Sequence, residues 1–77
     1  SLGKADEGGK CYQEALNVDP SSTVAVVGLS RVLDSQGKKH EALATIESGL
    51  SHDPGNELLL ERKVDILKQN IEEQRNQ

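Results

Sequence analysis

The 77-residue chain has no Phe, Trp or Met, and Tyr12 is its sole aromatic residue. A core without large rings must be assembled from Leu, Ile, Val and Ala, a set suited to helix-on-helix packing. Cys11 is the single cysteine, so no disulfide can form within the chain, and a reducing, cytoplasmic setting is the expected one. No apolar run approaches the roughly 20 residues a membrane span requires, and no stretch has the pattern of a secretory signal peptide. An excess of basic charge is also missing. Lys and Arg total 9 against 13 Asp and Glu, for a net charge of −4. Both signs are interspersed, as on a solvated helix surface. Nucleic acid is therefore not an expected partner, since such proteins carry a basic stripe. The length allows one small domain with a modest core and marginal stability.

The residues that carry chemistry are not arranged for it. Gly9-Lys10-Cys11 resembles a phosphate loop only faintly, because the first glycine would have to stand at Lys4 and the closing Ser/Thr at Cys11. His40 and His52 have no metal-ligand spacing to Cys11. Cys11 has no orienting His in sequence and reads as a half-buried, inert thiol. No serine sits in a strand–turn–helix elbow. The chain is not expected to be an enzyme, and no cofactor or metal site is expected.

What the chain does have is a repeat. Asp19-Pro20 recurs as Asp53-Pro54, Ser1-x-Gly3-Lys4 as Ser35-x-Gly37-Lys38, Glu7 as Glu41, Leu16 as Leu50 and Leu33 as Leu67, all at a spacing of 34 residues. A fixed period of this length marks stacked helix pairs. In such an array no unit buries its own apolar face alone, so function belongs to a surface rather than a pocket. The phase puts Ser1–Lys4 in mid-unit, which predicts a further helix before them.

Four helices are predicted. The first covers about Ala5 to Val18 with Tyr12, Ala15 and Leu16 inward; Gly8-Gly9 weakens its first half and Pro20 closes it. Ser21, Ser22 or Thr23 caps the second, whose inward face is Val26, Leu29 and Leu33. Gly37 ends it as a left-handed residue, and the short turn makes the third helix antiparallel to it. The third spans about Lys39 to Ser51 with Ala42, Leu43, Ile46 and Leu50 inward, and Gly49 allows close approach of a neighbour. Asn56 caps the last helix, about Glu57 to Gln74, whose stripe is Leu60, Val64, Leu67 and Ile71. That helix is expected to cover the end of the stack and then project into water. A coiled-coil seam is the weaker alternative, because only about two heptads are present where about three to four are needed.

These residues resemble the tetratricopeptide repeat. Between Thr23 and Asn56 the family's signature positions fall on Val26, on Leu29-Ser30 where the family has Leu-Gly, on Leu33, Gly37, Ala42 and Ile46, on Gly49-Leu50 for Ala-Leu, and on Pro54. The preceding half-unit keeps Gly8, Tyr12, Ala15-Leu16 and Pro20, and Cys11–Pro20 is close to the family's second helix. Aliphatic residues replace most of the family's aromatics, and Lys63-Val64 replaces Leu-Gly in the last helix. The resemblance implies an all-α, antiparallel helix–turn–helix solenoid of four helices. Residues 1–20 form the second helix of a partial repeat, 21–54 a full repeat and 55–77 a C-terminal capping helix.

The resemblance further implies a protein or peptide partner on the concave face. The family's register places Val24, Val27, Gly28, Arg31 and Ser35 there from the full unit, and Leu58, Glu61, Arg62 and Asp65 from the last helix. Val24, Val27, Arg31, Leu58 and Arg62 are the expected binding residues. Apolar side chains would sit beside a guanidinium pair suited to a carboxylate; the plain alternative pairs Arg31 with Asp65. Some family members clamp a chaperone's C-terminal carboxylate with Lys and Asn. Here only Arg31 and Arg62 occupy those positions with a cation, so that specificity is not expected. The module is therefore expected to be a protein-binding scaffold. The alternatives are a solenoid cap without a ligand, or an appendage of an enzyme or co-chaperone. A second contact is expected through self-association, by an uncovered apolar face of the first helix around Ala5, Gly8, Tyr12 and Leu16.

Overall fold

A computed structural model describes the backbone of residues 2–75 and the side-chain surroundings of residues 8–69 and 71. The described residues form four helices and no strand: α1 (Leu2–Val18), α2 (Thr23–Ser35), α3 (Lys39–His52) and α4 (Glu57–Arg75). The protein is all-α. Helix α1 begins at Leu2 rather than near Ala5, running unbroken through Gly8-Gly9.

Local chemistry sets each turn. After α1, Asp19 Oδ1 accepts from the Ser21 amide at 3.1 Å and from its hydroxyl at 2.8 Å, folding the chain around Pro20. Ser22 caps α2, its side chain accepting from the Ala25 amide at 3.4 Å. Gly37 closes α2 with φ 78°. Its amide donates to Asp34 O at 3.0 Å and the Lys38 amide to Leu33 O at 2.8 Å, the paired bonds of a Schellman ending. Asn56 Oδ1 accepts from the Leu59 amide at 3.2 Å and caps α4. The Asn56 amide nitrogen also donates to Thr23 Oγ1 at 2.7 Å, pinning the start of α4 to the start of α2. Turns this short lay successive helices side by side and antiparallel.

Each helix packs on the next, and α2 also touches α4. The result is a flat body of 40 × 34 × 14 Å. Its core is Val26, Ala42, Ile46, Leu59 and Ile66, with Leu16, Val27, Leu33, Leu43 and Leu50 packed against it. Ser30 is fully buried but satisfied, its hydroxyl donating to Val27 O at 2.8 Å. Gly49 lies where α2, α3 and α4 meet. A Cβ there would come within 2.9 Å of Leu59 Cδ1 and 3.0 Å of Val26 Cγ2, so the close approach expected of this glycine is present.

The structure corrects the expected inward faces of α4 and α1. In α4 the stripe Leu60, Val64, Leu67 and Ile71 is exposed, at 42%, 48%, 38% and 56%, while Leu59 and Ile66 are buried. The 34-residue register supplies the reason. Leu59 and Ile66 are the counterparts of Ala25 and Val32, whereas Leu60, Val64 and Leu67 are the counterparts of Val26, Ser30 and Leu33. Only the first face of α4 meets a neighbouring helix among the described residues. In α1, Gly8, Tyr12 and Leu16 are half-buried, with Gly8 (from an added Cβ) 3.8 Å from Val32 Cγ2 and Tyr12 against Gly28 of α2. The surroundings of Ala5 fall outside the described side chains. Ala15 and Cys11 are exposed, so Ala15 is not part of the buried stripe and the thiol is not half-buried.

Candidate partner-binding groove

Helices α2 and α4 start side by side because Asn56 binds Thr23. That contact brings Leu58, in the first turn of α4, beside the first two turns of α2. Val24, Val27, Gly28, Arg31, Val32 and Leu58 line one open groove of about 380 Å³ together with Thr23 and Tyr12. Val24 is 78% exposed and Leu58 56%, so each presents apolar surface to solvent rather than to the core. Val27 is half-buried and packs on the core from below. Arg31 is exposed at the rim. Four of the five expected residues therefore converge on one surface.

Tyr12 supplies a wall that sequence reasoning assigned only to packing. A Cβ at Gly28 would run into Tyr12 Cε1 and Cζ, so the phenol ring packs close to the backbone of α2 at the one place where no side chain intervenes. A glycine is needed here for close approach rather than for its backbone angles. The pairing of the one aromatic residue with a helical glycine 16 positions away was the available signal.

Arg62, the fifth expected residue, is not among the residues that line this groove. It follows Leu59 by one helical step and precedes Ile66 by another, which puts it on the buried side of α4. The residue is half-buried, and its Nε is shielded from solvent with no hydrogen-bond partner among the described residues. Of the two arginines, Arg31 alone lines this groove. No salt bridge joins Arg31 to Asp65 among the described residues. A bridge between Lys63 Nζ and Glu47 Oε1, at 3.5 Å, ties α4 to α3 instead.

Chemically, the groove offers a shallow apolar floor, an aromatic wall with a hydroxyl, and one arginine. That combination can take a short apolar side chain and hold a nearby carboxylate or carbonyl. Among the described residues no three His, Cys, Asp or Glu side chains gather at one point. No described helix is long and apolar enough to cross a membrane. No protein-family model matches the chain, and no curated protein or solved structure matches it.

Proposed function

We propose that the chain is a non-catalytic protein-interaction module of tetratricopeptide type, part of a helical solenoid that holds a peptide or helix on its concave face. The carrying observation is the convergence of Val24, Val27, Arg31 and Leu58 on one open groove walled by Tyr12. Exposed aliphatic residues scattered singly are ordinary on a protein surface. Several gathered in one concavity beside a cation are the arrangement a binding site needs. The preferred ligand is a segment with a small aliphatic side chain next to an acidic group.

The reading of the segment as a passive cap is less well supported. A terminal unit that only seals a solenoid needs a polar outer face, and α4 carries Leu60, Val64, Leu67 and Ile71 there.

The test is affinity capture followed by mass spectrometry, comparing the chain with a Val24→Glu/Arg31→Glu variant. Both positions are exposed, so the variant should melt at the same temperature. A partner held by the chain and lost by the variant supports the groove. Equal capture by both removes the groove from the account.

A further inference from the structure

The groove is bounded within the chain, by Leu58 of α4 on one side and Tyr12 of α1 on the other, with α2 as its floor. Its chemistry changes along α2 in three stations. Val24 and Leu58 form an apolar end, both more than half exposed. Gly28 comes one helical turn later, and the Tyr12 ring occupies the space where a side chain would stand. Arg31 closes the far end and is the one charged side chain lining the groove among the described residues. Glu61 and Asp65, the acidic residues expected on the same face, line a separate hollow with Leu60, Val64 and Lys68. A chain of net charge −4 thus presents a lone cation beside an apolar patch.

Given that the groove binds a partner, as proposed above, we infer that the occupant is an α-helix laid along α2. It presents, in order, an aliphatic side chain, a small residue and a carboxylate. Val24 and Arg31 are seven residues apart with Gly28 between them, a climb of about 10 Å along the helix axis. A ligand helix has the same rise, so its positions i, i+4 and i+7 meet the three stations in turn. An extended peptide sends a side chain to one face only every second residue, about 6.7 Å apart, so its third overshoots Arg31 by about 3 Å. The floor also discriminates through its backbone. A helix turns its N–H and C=O groups along its own axis, so α2 offers no row of free partners to an extended peptide. Such a peptide would lay its own unpaired backbone groups on an apolar surface, whereas a helix arrives with them paired. The middle residue must be small because Tyr12 already stands over Gly28. The acid belongs at the Arg31 end, where the guanidinium can hold its carboxylate.

The test is selection of random 16-residue peptides displayed on phage against the chain, discarding those that also bind the Val24→Glu/Arg31→Glu variant. The selected peptides should carry Asp or Glu seven residues from Leu, Ile or Val. Gly, Ala or Ser should stand between them, one turn from each, and circular dichroism should show helix gained on binding. Within a selected peptide, replacing the acid by its amide should weaken binding about 2- to 5-fold. Enlarging the small residue to Leu should weaken it about ten-fold or more. Repeating the selection against Arg31→Glu, a change at an exposed position, should replace the acid by Lys or Arg. Groove-dependent peptides that gain no helix, or whose aliphatic and acidic residues keep another spacing, overturn the helix and leave the groove standing as a binding site. An acid retained in the selection against Arg31→Glu overturns the pairing with Arg31. The absence of any peptide sensitive to Val24→Glu/Arg31→Glu overturns the helix and the groove together.

Discussion

Helices α2 and α4 hold corresponding places in the repeat and meet different fates. Helix α2 buries Ala25, Val26, Leu29 and Ser30 between two neighbours, with Leu29 and Val32 near Gly9 of α1 and Val26 near Gly49 of α3. Helix α4 buries one face, through Leu59 and Ile66, and shows the other to solvent although it is equally apolar. An apolar stripe therefore does not identify a core face in this architecture. Burial is decided by whether a neighbouring helix lies on that side.

The sharpest way to break this comparison uses two adjacent leucines. Leu59 is 1% exposed and Leu60 42%. Leu59→Ala removes a side chain wedged against Gly49 and Val26, and a buried Leu→Ala change costs about 2–5 kcal/mol. In a chain this small that loss takes most of the stability margin. Leu60→Ala should cost under about 1 kcal/mol, because its side chain is still half hydrated. Urea denaturation of both measures the difference. Equal losses would mean that the two faces of α4 are equally covered.

The same pair shows how much of the structure was legible in the sequence. The four helices and their turns could be read because Pro20, Gly37, Pro54 and Asn56 act through local backbone chemistry. The inward faces of α2 and α3 could be read because each has one dominant apolar spacing. Helix α4 has two, Leu59 with Ile66 and Leu60 with Val64, Leu67 and Ile71. The longer run drew the prediction outward. The choice between them is made by contacts from far along the chain, chiefly Leu59 under α2 and α3 and the Asn56–Thr23 hydrogen bond. The groove divides in a similar way. Val24, Val27, Arg31 and Leu58 were expected from the tetratricopeptide resemblance, whereas the Tyr12 wall follows from a ring fitting over Gly28, which neither the resemblance nor periodicity encodes. Arg62 shares the face of Leu59 and Ile66 and is half-buried, whereas the residues that line the groove from α4 reduce to Leu58.

A second contrast concerns the two helix starts. Ser22 caps α2 with one hydrogen bond of 3.4 Å, long for a good bond. Asn56 caps α4 at 3.2 Å and also binds Thr23 at 2.7 Å and Asp53 Oδ2 at 3.2 Å. Cap removal costs about 0.5–2 kcal/mol. Asn56→Ala should fall at the upper end of that range and Ser22→Ala at the lower. Asn56→Ala should also loosen Leu58 from the groove, because the bond that sets α4 beside α2 is lost. Hydrogen exchange at the first turn of α4 reads both effects. A larger loss from Ser22→Ala would show that the helices are aligned by packing and not by the Asn56–Thr23 bond.

The smallest effect belongs to Lys63, at the place where α2 has the buried Leu29. The bridge from Lys63 Nζ to Glu47 Oε1 is 3.5 Å long, with the two side chains 37% and 54% exposed. Pairs this wet contribute about 0–1 kcal/mol. Glu47→Gln should therefore lower stability by less than about 1 kcal/mol. The loss should disappear near 1 M salt, where the screening length of about 3 Å is shorter than the bridge. Leu29→Gln, a buried apolar residue of α2 changed to a polar one, should be insensitive to salt and several times more costly. If instead Lys63→Ala costs more than Glu47→Gln and the excess persists in high salt, Lys63 contributes through its aliphatic stem packed along α3. The outer side of α4 would then already be partly closed by its own residues, and the contrast with α2 would narrow to Leu60, Val64 and Leu67.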